Sequence, residues 1–294
     1  MHLPQFEFAI EGSGSNAWAI SAEHSESGKP LLASDPHLAS MIPSIFYAFE
    51  LVLLDENNQI ADRKFGVGPD GLPTVSIGVS PYAAWGATAA YIDNKDVFYE
   101  TVRNNSGTMQ YLFKDEWLDF KLRKETIKVR GAAEVEETFY HTHRGVVIET
   151  IFMDMHWKYG YPLPDKYRNN HTLSLASTMY RPDNSSAKGL TCIITCKNLE
   201  EFLTCNEDIQ NPSIDTPYIL SNGSIGYIGV GAIPSRKVPE MGSFIKNGNS
   251  DLYDMGELLP QSEKPFLLDP EKGYVAMCNN RFASDHYKHR SSLH

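Results

Sequence analysis

Ser15 opens the run Gly14-Ser15-Asn16-Ala17-Trp18, a small residue and a serine placed just ahead of alternating apolar positions. Taken alone, this stretch is either a flexible turn or a serine presented at the head of a strand. A serine hydroxyl is a weak nucleophile at neutral pH and needs a base within hydrogen-bond reach. The chain holds no GxSxG elbow that would supply the usual setting for one. Asn279 and Asn280, in MCNNRF, read on their own as a turn. His37, in SDPHL, is a loop imidazole, either a surface residue or a site group. Asp93, Lys95 and Asp96, in YIDNKD, set two carboxylates three apart with a backbone carbonyl between them. That pattern is either a solvated acidic loop or a site for a hard, oxygen-liking cation such as calcium.

The elements that must position these residues are mostly strands. Asn16–Ser21 alternates, and Lys29–Leu32 leads into SDPHLAS, which reads as a loop. Phe46–Leu54 is a long apolar run of the kind found in buried strands, with Asp55–Gln59 as its turn. Gly66–Pro73 reads as a Gly/Pro loop, followed by strands over Val75–Val79 and Ala83–Tyr91. Glu125–Val129 and Glu134–Tyr140 flank Gly131 as a hairpin, and Tyr218–Gly231 carries Asn-Gly between apolar runs, a strong hairpin signal. Leu199, Phe202 and Leu203 recur at helical spacing within Asn198–Cys205. Antiparallel hairpins with a few covering helices make an α+β layered domain. With no repeat, low-complexity tract or linker, the chain from Ser15 onward reads as one unit.

Bulk composition narrows the function classes. The 294 residues are 41% hydrophobic and 21% charged, ordinary globular values with enough chain for a sizeable core. A formal charge of −11 argues against nucleic acid as the main partner, because phosphate binding needs clustered Lys and Arg. The sequence contains no apolar run long enough to span a membrane, and residues 1–14 do not read as a secretory signal. Cys192 and Cys196, in LTCIITCKN, would share one face of a strand roughly 13 Å apart, too far for a disulfide. With Cys205 and Cys278 they read as structural thiols. Sequons at Asn104, Asn170, Asn184 and Asn222 favour an extracytoplasmic setting only weakly, so the compartment stays open.

Five segments then occur in order: GSNAWAIS, SGKPLLASDPHL, AAWGATAAYIDNKDVFYE, SNGSIGYIGVGAIPSR and GYVAMCNNRF. Together they resemble the β-chain of the penicillin acylase family and its N-acyl-homoserine lactone acylase relatives, from Gly14 to Asn280. The resemblance implies a four-layer αββα N-terminal nucleophile hydrolase sandwich, with residues 1–14 the remnant of a spacer and 15–294 the first part of the catalytic chain. It implies autocatalytic cleavage of Gly14–Ser15. Ser15 would then carry a free α-amino group with a reference pKa of roughly 7.7–8.0, suited to a general base. It also implies that the Ala89 N–H and the Asn279 side-chain amide hold the oxyanion, and that His37 orients substrate beside Ser15. Leu38, Ser76 and Ile77 would line the acyl pocket. Asp93, the Lys95 carbonyl and Asp96 would hold a structural calcium, with a further carbonyl from Pro239. The implied substrate is a small N-acyl amide, and the implied partner is a separate α-chain.

The chain departs from the family in reading Gly78-Val79-Ser80-Pro81 where GHN usually precedes AWG. The α-chain and the long continuation past the Asn pair are also missing from it, so a fragment is expected. Two other readings stand beside the amidase. One is an inactive remnant of the family that binds calcium or a partner. The other is a secreted, glycosylated β-rich binding protein.

Overall fold

The computed structural model describes residues 14–72, 74–148, 170–238 and 244–281, with residues 283, 287 and 289. These fall into two compact units. The first contains 93–148, 170–181, 234–238 and 244–257; the second contains 14–92 without residue 73, 182–233, and the residues from 258. The path leaves the second unit and re-enters it twice, and no linker composition marks the boundaries.

In the second unit, β1 (Gly14–Ile20) is the centre of an antiparallel three-stranded sheet, between β2 (Leu31–His37) and β21 (Tyr274–Met277). Successive strand residues face opposite ways. Ala17 and Ala19 are therefore buried together (1% and 0% exposed), with half-buried Ser15 on their face. Asp35-Pro36-His37 belongs to β2 and not to a loop, because the register continues through Ser15↔Pro36 to Gly14↔His37. Pro36 is tolerated because β2 is an edge strand, where a missing N–H breaks no inner ladder.

The same unit holds an eight-stranded sheet. Its order is β20 (Phe266–Leu268), β16 (Ile225–Val230), β15 (Ile214–Leu220), β6 (Ala83–Trp85), β5 (Ile77–Val79), β4 (Ile60–Pro69) and β3 (Phe46–Leu54), with β7 (Thr88–Ala89) also on β15. The Asn-Gly hairpin forms as expected: Asn222 Oδ1 accepts the Ser224 N–H at 3.0 Å and Gly223 takes φ +94°. Trp85, Tyr218, Phe202 and Ile228 anchor the core under this sheet, and Trp85 Nε1 donates to the Val75 carbonyl at 3.2 Å.

Two sequence expectations fail along β3 and β4. Phe46–Leu54 is a strand, but it is the sheet's edge and its Tyr47, Leu51, Val52, Leu53 and Leu54 are exposed rather than buried. The apolar run encodes a surface to be covered, and the described residues leave it open. Gly66–Pro69 lies in β4 and not in a loop. Its glycines reflect close approach, since a Cβ on Gly66 would sit 2.3 Å from the Ile77 carbonyl oxygen.

LTCIITCKN forms the end of a helix and a turn, not a strand. Helix α1 (Ser186–Cys192) packs against α2 (Leu199–Glu207), which Asn198 caps by accepting the Glu201 N–H at 2.9 Å. Cys192 is therefore bonded to Cys205 with a Cα–Cα distance of 5.3 Å, which corrects the free-thiol reading. Strand spacing did not apply, and the partner came from the next helix. Cys196 and Cys278 are free.

The first unit is a second eight-stranded sheet. It runs β10 (Glu116–Asp119), β9 (Thr108–Phe113), β8 (Lys95–Asn105), β14 (His171–Ser177), β13 (Val146–Val147), β12 (Val135–His141) and β11 (Lys121–Ile127). β18 (Lys246–Asn247) pairs with β8 in parallel, and β17 (Pro234–Arg236) pairs with β19 (Met255–Leu258). The hairpin expected around Gly131 is β11–β12, with Gly131 at φ +78°. One face of β8 buries Asp96, Phe98 and Glu100 in succession. Arg144 answers Glu100 at 3.2 Å while stacking on Phe98, 4.5 Å from its ring centre.

Asp215, on β15, is buried opposite Thr88 of β7 and accepts the Tyr227 hydroxyl at 2.7 Å. Burial pushes its carboxyl up to about 6, and the Tyr227 hydrogen bond opposes the rise only in part. Because the folded value lies above the ordinary 3.8, the protonated form stabilises the fold. That contribution is complete below the unfolded value and is lost as pH rises through about 6. Urea unfolding between acid and neutral pH should show the wild type losing roughly 3 kcal/mol relative to Asp215→Asn. Parallel pH profiles for the two proteins would contradict this. A second expectation concerns the disulfide: replacing Cys192 and Cys205 by Ser should lower stability by about 3 kcal/mol, read from the same denaturant curves.

Candidate active site

Three segments of the second unit converge at the start of β1. Asn279 lies two residues past the end of β21 and takes φ +58°, a left-handed conformation that asparagine tolerates better than most residues. The conformation turns its amide toward β1. Its Oδ1 accepts the Ser15 backbone N–H at 2.5 Å, and its Nδ2 donates to the Ala89 carbonyl at 3.0 Å. Both ends of the amide have partners of the right sense, which fixes its orientation. Gly14 lies against the same group, where an added Cβ would stand 3.3 Å from Asn279 Oδ1.

The backbone of Ala89 is aimed by its ladder. Hydrogen-bonded and non-bonded pairs alternate along antiparallel strands. Ala90 N–H donates to the Ser213 carbonyl at 3.3 Å, so the neighbouring Ala89↔Ile214 pair is the non-bonded kind. The N–H and C=O of Ala89 therefore both point away from β15, on the side where Asn279 contacts the carbonyl. Ser34, on β2, steadies the approach to this segment, since its Oγ accepts the Ala87 N–H at 3.1 Å. On the far side, Asp215 faces Thr88. Ser34 carries no sequence signal, because its partner Ala87 lies 53 positions away along the chain.

The remaining expected residues are placed as follows. His37 is the cross-strand partner of Gly14, and its ring bonds Asp35 Oδ2 at 2.8 Å. Leu38 follows β2 and is exposed. Ser76 precedes β5, donating its N–H to the Val67 carbonyl at 2.8 Å, and Ile77 opens that strand, both half-buried. Among the described residues, hydrogen bonds join Ser15, Asn279 and Ala89 to one another but not to Leu38, Ser76 or Ile77. The departure at Gly78-Val79-Ser80-Pro81 is absorbed locally: Ser80 Oγ accepts the Tyr82 and Ala83 N–H groups at 3.2 and 3.1 Å, forming the turn between β5 and β6.

The first unit holds Asp93, Lys95 and Asp96. Lys95 is exposed, while both aspartates are buried. Arg236 Nη1 reaches Asp96 Oδ2 at 2.6 Å, and its Nη2 reaches Asp93 Oδ2 and the Asp93 carbonyl, each at 3.1 Å. Lys246 Nζ takes Asp96 Oδ1. Two internal cations already neutralise these carboxylates, so the residues present do not fit a calcium ion. Among the described residues, no group of three or more His, Cys, Asp or Glu side chains is arranged to hold a metal. Pro239 lies outside the described residues.

Comparison with known proteins agrees with this architecture. The chain is 26% identical over 278 residues to the acyl-homoserine lactone acylase QuiP of Pseudomonas aeruginosa, covering 94% of this chain and 31% of that protein. It is 24% identical over 272 residues to penicillin G acylase of Escherichia coli, covering 92% of this chain and 29% of that protein. The chain thus spans about a third of the length of the curated relatives it matches. The solved structure of the thermostable penicillin G acylase from Alcaligenes faecalis superposes with a TM-score of 0.75 at 24% identity, over 92% of this chain and 45% of that one. The fold is therefore the α+β N-terminal nucleophile hydrolase fold, in mostly antiparallel sheets. The profile of the penicillin amidase family matches residues 2–294, and the chain belongs to that family.

Proposed function

We propose that this chain carries the catalytic core of an acylase that hydrolyses a linear N-acyl amide through Ser15. The observation that carries this reading is the Asn279 amide, which ties the Ser15 nitrogen to the Ala89 backbone beside the Gly14–Ser15 bond. Cleavage of that bond converts the Ser15 amide nitrogen into an amine, giving the hydroxyl a base on its own residue. Ser15 Oγ then attacks the acyl carbonyl as its proton passes to the amine, through a water if one bridges them. The carbonyl oxygen becomes the oxyanion. Asn279 Nδ2 spends one hydrogen on the Ala89 carbonyl and keeps a second for that oxygen. The Ala89 N–H faces the same side and supplies the other donor. Collapse breaks the C–N bond, the leaving amine takes the proton, and water releases the carboxylic acid from the Ser15 ester.

Leu38, Ser76 and Ile77 are the proposed lining of the acyl pocket. The relatives' names suggest penicillin-like amides and N-acyl-homoserine lactones as the first substrates to assay. A separate α-chain is the proposed partner, and the exposed apolar edge at β3 supports it, because a surface of that kind marks an interaction site. The Cys192–Cys205 disulfide and the four sequons favour an oxidising, extracytoplasmic setting.

Intact mass and N-terminal sequencing of the purified protein test the first step. A new terminus reading Ser-Asn-Ala-Trp is expected, and Ser15→Ala should abolish both that cleavage and turnover. Turnover that survives in Ser15→Ala would rule out the nucleophile, and a wild-type chain left uncut would favour a partner-binding remnant. In processed protein, Asn279→Ala should lower kcat by about 10²–10³ with a smaller change in KM. Unchanged kcat would remove Asn279 from the oxyanion site.

A further inference from the structure

Of the aspartates expected to hold calcium, Asp93 lies just ahead of β8 and Asp96 near its start, and both are buried. Asp96 is 1% exposed and has no oxygen to spare, with Oδ1 on Lys246 and Oδ2 on Arg236. Asp93 shares the same guanidinium, which also takes the Asp93 carbonyl, the kind of oxygen a calcium ion would use. Two carboxylates face two fixed positive charges, so the cluster is neutral. The Lys246 stem runs through β18, whose parallel pairing with β8 sets Lys246 opposite Phe98. The ammonium is itself 1% exposed.

A calcium ion here would need six to eight oxygens and would have to displace both cations from Asp96. The displaced ammonium would then be buried beside a divalent ion without a counter-charge, which the low dielectric makes prohibitive. Farther along the same face of β8, Glu100 is paired in the same way with Arg144. This face is neutralised carboxylate by carboxylate with side chains of the chain itself.

We infer that this chain carries a built-in substitute for a structural cation, with Lys246 and Arg236 in the place of the metal, and that the first unit is stable without calcium. The inference does not rest on the Ser15 chemistry, and it is read by stability rather than turnover. Thermal unfolding of the full chain should give the same Tm, within about 1 °C, in excess EDTA and in millimolar calcium chloride. A calcium-dependent rise in Tm that the wild type shows and Asp96→Asn lacks would overturn it. Lys246→Met keeps the stem and the Arg236 pairs but frees one Asp96 oxygen. That variant should gain a calcium-dependent rise in Tm and bind terbium, with luminescence sensitised by its tyrosines and tryptophans. A variant that folds and gains neither would overturn the assignment of Lys246 as the cation's replacement.

Discussion

One side-chain amide holds the candidate site together. Asn279 accepts from Ser15 and donates to Ala89, so three segments distant in sequence meet at a single planar group. The demand for this geometry explains features that look unrelated. Asn279 must leave β21 in a left-handed turn, and asparagine adopts one more readily than a branched residue. β1 must be the central strand, so that one edge pairs with β2 and the other with β21. Ala89 must sit at a non-bonded position of its ladder, or its carbonyl would already be paired to β15. Replacing the amide by a carboxylate would set two acceptors against each other at Ala89.

The two units solve the problem of buried acids in different ways. Asp96 and Glu100 each have a cation at hydrogen-bond distance, and the attraction offsets the loss of hydration. Among the described residues Asp215 has a tyrosine hydroxyl as its side-chain partner, which cannot balance a full charge, so burial raises its carboxyl to about 6. The first arrangement locks a sheet, while the second leaves an acid able to change state beneath the strand that carries Ala89.

Sequence reading recovered what short-range chemistry encodes. The Asn-Gly turn, the helical spacing of Leu199, Phe202 and Leu203 and the alternation of β1 appear in the structure because each is fixed within a few residues. The site could be read only through the ordered family segments, since nothing local distinguishes Asn279 from an ordinary turn residue. Asp35-Pro36-His37 looked like a loop because proline signals a break, yet register with β1 drew it into an edge strand. The LTCIITCKN run has the apolar content of a strand but ends a helix, and spacing along a strand says nothing about a partner on a neighbouring helix. The neutralisation of Asp93 and Asp96 was invisible, because Arg236 and Lys246 lie 140 and 150 residues from Asp96.

The Asn279 bridge also spans 264 residues to Ser15 and 190 to Ala89. A ribosome delivers a chain from its N-terminus, and contacts between distant segments wait on loop closure. Ser15 is therefore among the first described residues to leave the exit tunnel, while its partner is among the last. β1 must remain without β21 until the segment between them has been made, with its small alanines exposed on an unfinished sheet. Any chemistry that needs the completed bridge is postponed until Asn279 has emerged, so sequence separation alone acts as a timer against premature reaction.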